Sequence, residues 1–126
     1  WSYQIGYSGS RVGDRLMVWD GLPLYYSTGD RMITDHIMPG TTVYSIECLP
    51  MHGGKYIRSA GSSGVVLRKD IEKVYIRMPS GKVISVSRWC LASLGISGNK
   101  YYRYQQLGKA GRTRWLGFRP FVRGVC

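Results

Sequence analysis

Residues 73–87 read KVYIRMPSGKVISVS, and their alternation decides the fold. Val74, Ile76 and Met78 fall on one face and Lys73, Tyr75 and Arg77 on the other, the period of a half-buried antiparallel strand. Pro79-Ser80-Gly81 supplies a turn, and residues 82–87 continue as a second strand, so 73–87 predicts a hairpin. Outward from it, residues 41–49 are β-branched and aromatic, open after Pro39-Gly40 and close at Pro50, which predicts one strand. Residues 65–68, bounded by Gly64, and 91–94, before Gly95, predict two more. Short strands with frequent glycine turns point to a mainly β fold, a small barrel that removes exposed strand edges.

The ends differ from this centre. Residues 15–19 are a plausible strand, with turns at Asp20-Gly21 and Gly29-Asp30, and this front part reads as the end of a preceding domain plus a linker. Residues 98–126 hold seven basic side chains, six aromatics, five glycines and no acid. Residues 109–115 have room for two helical turns at most, weakened by the glycines at 108, 111 and 117. Arg119 precedes Pro120 and is thereby pushed out of the helical region. Such a segment is too glycine-rich for a core and too aromatic for a disordered charge brush, so an ordered arm is expected.

Charge sharpens the division. Seven basic residues and all seven acids lie at or before Glu72, whereas residues 73–126 carry eleven basic residues and no acid, hence the whole formal net charge of +11. A neutral front with an acid-free back suits a polyanionic partner. At 44% hydrophobic and 20% charged the composition is globular, and no apolar run is long enough to span a bilayer. Cys48, Cys90 and Cys126 are odd in number and widely spaced, which fits neither a disulfide framework nor zinc-ligand pairs. They read as small buried hydrophobes, and Cys48-x3-His52 has no second pair to complete a metal site.

Catalysis finds no support: there are two histidines, His36 and His52, and the acids are scattered singly. Gly61-Ser62-Ser63-Gly64 lacks the Gly-Lys-Ser/Thr ending of a nucleotide loop. The glycine-rich stretch 51–61 carries Lys55 and Arg58, and its glycines would let backbone N–H groups approach phosphates. The stronger constellation is Lys109, Arg112, Arg114, Arg119 and Arg123, interleaved with Trp115, Phe118, Phe121 and glycines. Guanidinium groups pair with phosphates, flat rings stack on unpaired bases, and glycines let a chain enter narrow crevices. Two readings of the three aromatics stay open, core residues or stacking platforms. No recognition-helix, basic-zipper or zinc-finger pattern favours DNA, and the glycines argue against an amphipathic membrane helix.

Pro39-Gly40-Thr41-Thr42-Val43, Gly53-Gly54, Arg58-Ser59-Ala60-Gly61, Pro79-Ser80-Gly81 and, above all, the run from Leu107-Gly108-Lys109 through Arg114-Trp115-Leu116-Gly117 to Val122-Arg123-Gly124 resemble the universal large-subunit ribosomal protein L2 family from about Asp30 onward. The resemblance implies an SH3-like β-barrel over residues 31–97, a glycine/arginine-rich RNA-contacting arm over 98–126, and, in 1–30, a remnant of an OB-fold domain with its linker. It implies a non-enzymatic constituent of the large ribosomal subunit that binds rRNA near the peptidyl-transferase region and supports translation. Carried over by position, Arg58, Ser59, Gly61, Lys109, Arg112, Arg114, Trp115, Arg119 and Arg123 face RNA, and Lys55 joins them from the loop reading. The partners implied are large-subunit rRNA and neighbouring ribosomal proteins. No cofactor is expected, with magnesium entering only through bound rRNA.

In the family the arginine-glycine segment continues into an Asn-Pro-x-Asp-His-Pro-His-Gly-Gly loop, and the sequence departs from that pattern by stopping at Cys126. Two readings of this stay open: separate chains that complete a split protein and join the partners, or, more simply, a longer chain of which these residues are a part. Ten tyrosines and modest basicity for a ribosomal protein suggest an organellar, mitochondrial version, with another organelle or the cytoplasm as the alternative. A free-standing RNA-binding barrel, acting as a translation or RNA-processing factor, is the competing function.

Overall fold

The structure, a computed structural model, describes residues 3–19, 21 and 25–125. The hairpin of residues 73–87 forms as its alternation requires. Strand β7 (Lys73–Arg77) pairs antiparallel with β8 (Val83–Ser87), setting Val74 opposite Val86 and Ile76 opposite Ile84. Those cross-strand apolar pairs fix the register, because a slip by one residue would turn each of them out to solvent. Gly81, at φ 91°, closes the turn with its N–H donating to the Met78 carbonyl at 2.9 Å. On the outer face, the Arg68 guanidinium lies 4.2 Å from the centroid of the Tyr75 ring.

The hairpin joins β1 (Val18–Trp19), β2 (Arg31–Ile33), β3 (Thr42–Tyr44), β6 (Gly64–Lys69) and β9 (Leu91–Leu94) in one sheet. The order of its seven strands is β1-β2-β9-β3-β6-β7-β8, with the hairpin at one end. All neighbours are antiparallel except β1 and β2. A separate ribbon pairs β4 (Ile46–Glu47) with β5 (Gly54–Tyr56). Together they make a mainly β, small barrel-like domain around one core, whose fully buried side chains include Met32, Ile37, Val43, Tyr44, Ile46, Val66, Val74 and Ile76.

The single strand expected over 41–49 is two strands. Ser45 sits at φ 50° and breaks the ladder, and the register shifts between Ile46 and Glu47. The break turns the Ser45 carbonyl toward Arg31, whose Nη1 donates to it at 2.7 Å and to Ser93 Oγ at 2.9 Å. Arg31 Nη2 lies 3.6 Å from Glu47 Oε1, and Glu47 Oε2 accepts the N–H groups of Met51 and Leu91. Burial pulls the Arg31 pKa down and Glu47 opposes that pull; the guanidinium stays charged at neutral pH. Strand β5 lies in what the sequence presents as a loop, and Gly54 leaves room there for the Ser45 side chain, which a methyl would displace. Strand β2 likewise hides where the sequence shows only turns.

The front segment packs on this domain. Ile5, Tyr7 and Trp19 rest against the core, and Tyr44 OH donates to the Ile5 carbonyl at 3.0 Å. Buried Asp30 accepts N–H groups from Met17 and Ser27 at 3.1 and 3.0 Å. The expected strand over 15–19 shortens to Val18–Trp19, and Asp20 of the expected Asp20-Gly21 turn lies outside the described residues. Cys90 is buried, and burial pushes its thiol up, with Glu47 adding to the shift; Cys48 is partly buried beside Tyr56, and Cys126 lies outside the described residues.

Candidate nucleic-acid interface

After Ser97 the chain leaves the core. Between residues 98 and 125 none is buried, and all but Gly98, Leu107, Gly111 and Thr113 are exposed. A 3-10 turn spans Tyr102–Tyr104, and the single α-helix among the described residues, α1, spans Ala110–Trp115. Two features limit α1 to six residues. Lys109 caps it in extended conformation without a side-chain hydrogen bond, and Gly117, at φ 99°, ends it with its N–H on the Arg114 carbonyl at 3.0 Å.

Lys109 lays its ammonium over the Trp115 ring, Nζ 4.6 Å from the centroid. Arg112 and Arg114 are two residues apart on α1, so they do not face each other. Arg114 instead lines a recess of about 500 Å³ with Phe118, Arg119 and Pro120. Trp115 is 72% exposed, Phe118 64% and Phe121 95%, which overturns the reading of these rings as core. Arg112, Arg114, Arg119 and Arg123 are all exposed, and none has an acidic partner among the described residues.

The loop candidates form a separate group. Lys55 lies on β5, exposed, with Nζ 5.9 Å from the Tyr56 centroid. Exposed Arg58 edges a recess of about 210 Å³ over Arg31, Glu47 and Gly54. The Ser59 carbonyl accepts the Ser62 hydroxyl at 2.6 Å, which tightens the turn. Gly61, at φ 71°, donates its N–H to the Gly98 carbonyl at 3.1 Å. No hydrogen bond among the described residues joins Lys55 or Arg58 to Arg112, Arg114, Arg119 or Arg123. His52 is exposed, its Nδ1 2.9 Å from the Pro50 carbonyl.

Gly61 is nevertheless a junction. A methyl there would stand 2.8 Å from the Lys100 carbonyl, so only glycine lets the loop reach the start of the arm. The contact closes a third recess, of about 730 Å³, between Ser59–Ser63 and the Lys100–Tyr104 segment. Lys100, Arg103 and the three tyrosines beside them are functional candidates that the sequence reading passed over. The available signal was a Lys-Tyr-Tyr-Arg-Tyr run inside an acid-free stretch.

Among the described residues no three His, Cys, Asp or Glu side chains converge to hold a metal ion. No helix there is long and apolar enough to cross a membrane. A family model described as "Ribosomal Proteins L2, C-terminal domain" matches residues 27–126.

Proposed function

Because the chain belongs to the ribosomal protein L2 family, with the part it plays in the large subunit during translation, we propose that its arm is the surface that binds large-subunit rRNA near the peptidyl-transferase region. The observation that carries this reading is the arm itself: seven cations, no acid, and aromatic rings left outside the core. Packed against protein, such a set would repel itself; against phosphates each cation gains a partner and releases a counterion.

In this reading Arg112 and Arg114 grip the backbone on two sides of α1, while Trp115, Phe118 and Phe121 meet unpaired bases. Lys55, Arg58, Ser59 and Gly61 offer a second contact from the loop. Magnesium belongs to the RNA rather than to protein side chains. Residues 31–97 act as an SH3-like scaffold, and 1–30 as the end of a preceding OB-fold and its linker. Neighbouring ribosomal proteins complete the surroundings, and the site of action is a mitochondrial ribosome on the matrix side.

Sedimentation of ribosomal particles tests the reading. The chain is expected to travel with large subunits through high-salt washing, and release at moderate salt would favour a free-standing RNA-binding factor instead. Binding to unpaired rRNA fragments is expected to weaken with salt at a log–log slope of about −3.5, for roughly five phosphate contacts.

A further inference from the structure

We infer that the recess between Ser59–Ser63 and Lys100–Tyr104 is a second RNA site, one that takes unpaired nucleotides by stacking their bases on Tyr101 and Tyr104. The inference rests on the reading of the arm as RNA-binding and adds a site that α1 does not touch. Three tyrosines within four residues stand 70%, 60% and 63% exposed. Single exposed aromatics are ordinary; a group of them beside a cavity is not. The Tyr101 and Tyr104 centroids are 6.4 Å apart with planes inclined at 42°. The two rings are therefore splayed rather than stacked on each other.

Each of these rings already carries a cation. Lys100 Nζ is 5.7 Å from the Tyr101 centroid, and the Arg103 guanidinium carbon is 4.9 Å from that of Tyr104. Arg103 Nη2 also donates to Tyr104 OH at 2.9 Å, which holds the guanidinium beside the ring. Flat rings paired with cations, without an acid nearby in sequence, match a base with its phosphate. The recess, about 730 Å³, lies within the range of roughly 300–1,000 Å³ typical of ligand pockets.

The recess is built in advance of any ligand. Gly61 donates to the Gly98 carbonyl, and Ser97 donates to the Ser62 carbonyl at 3.1 Å, so both walls hang from the domain. Its lining includes the small residues Ser59, Gly61 and Ser63, which leave room for a base, and serine is a residue type that contacts phosphate or sugar. A duplex keeps its base faces stacked internally and cannot use the two rings. Unpaired RNA can.

Fluorescence anisotropy of the 126-residue chain with labelled RNA of about 12 nucleotides, unpaired or as a duplex, tests the site. Tyr101→Ala with Tyr104→Ala is expected to weaken unpaired RNA roughly 10-fold or more while leaving the duplex nearly unchanged. Tyr101→Phe with Tyr104→Phe is expected to retain binding, since the ring rather than the hydroxyl stacks. Arg112→Ala with Arg114→Ala is expected to weaken both RNAs. Undiminished binding of unpaired RNA by the tyrosine-to-alanine variant, while the arginine variant still loses affinity, overturns the recess as an RNA site. It would leave the arm reading standing and assign the recess to a protein partner. An equal loss on the duplex also overturns it. Full binding of both RNAs by the arginine variant overturns the arm reading, and this inference with it.

Discussion

Residues 30–97 and residues 98–125 treat charge in opposite ways. In the barrel-like domain, Arg31 and Glu47 are enclosed together, Arg88 donates to Asp35 Oδ2 at 3.0 Å, and Lys69 donates to the Asp35 carbonyl at 2.6 Å. These three cations support the packing of strands, whereas Lys55 and Arg58 of the same domain stay exposed. In the arm, seven cations and six aromatics surround a helix of six residues, with no acid and no core of their own. The contrast separates side chains that the fold consumes from those it leaves for a partner, although residue type and spacing alone do not tell them apart.

The largest expected effect lies in the enclosed part. Glu47→Ala would leave the Arg31 guanidinium buried without its counter-charge and the Met51 and Leu91 N–H groups without their acceptor. A loss of about 3–5 kcal/mol is expected in chemical denaturation. A loss below ~1 kcal/mol would mean that the pair is not the link between β2 and the β4–β5 ribbon.

Next comes the arm. Arg112→Ala with Arg114→Ala removes two exposed cations whose side chains make no hydrogen bond among the described residues, so unfolding stability is expected to stay within about 0.5 kcal/mol per substitution. RNA affinity is expected to fall, and the salt slope on unpaired RNA to shrink by about 1.4, two phosphates at ~0.7 each. Broadened or lost cooperative melting would place the two arginines with the barrel rather than with the partner.

The smallest effect concerns the front segment. Tyr7 OH donates to Asp14 Oδ2 at 2.6 Å; this bond holds the Asp14 carboxyl below its ordinary range, helped by the Arg11 N–H, and pushes the Tyr7 hydroxyl up. The carboxylate's contribution is complete above the unfolded value of about 3.9 and lost as pH falls through the lower folded one. The hydroxyl's contribution is complete below about 10 and lost as pH rises through the raised folded value. Tyr7→Phe is expected to reduce the acid-side dependence of amide exchange in residues 7–14 to the smaller part that the Arg11 N–H supplies, while leaving the core strands unchanged. An undiminished dependence would assign it to another group.

The hairpin was readable because strand period and core contact coincide: Val74, Ile76 and Val86 alternate in the sequence and are buried in fact. Residues 91–94 form β9 as read, and 65–68 gains one residue at each end in β6. Residues 41–49 were misread because β-branched content says nothing of a backbone break, and Ser45 adopts φ 50° next to a charge brought by a distant strand. Strands β2 and β5, three residues each, are too short to show a period. Of the interface, the arm was legible because missing acids and repeated arginines are properties of composition. The Tyr101–Tyr104 recess was not, since the wall facing it arrives from Ser59–Ser63.

The sequence alone determined a β hairpin at the centre, a family of descent, and an acid-free, aromatic arm suited to a polyanion. Those features follow from periodicity, spacing and charge, which are local or additive along the chain. Only the tertiary structure decided that Arg31 and Glu47 are spent inside while Arg112 and Arg114 stand outside, that Trp115, Phe118 and Phe121 are not core, and that Gly61 joins loop to arm. Burial and close approach depend on which segments meet, and that is fixed by packing distant parts of the chain around one shared core.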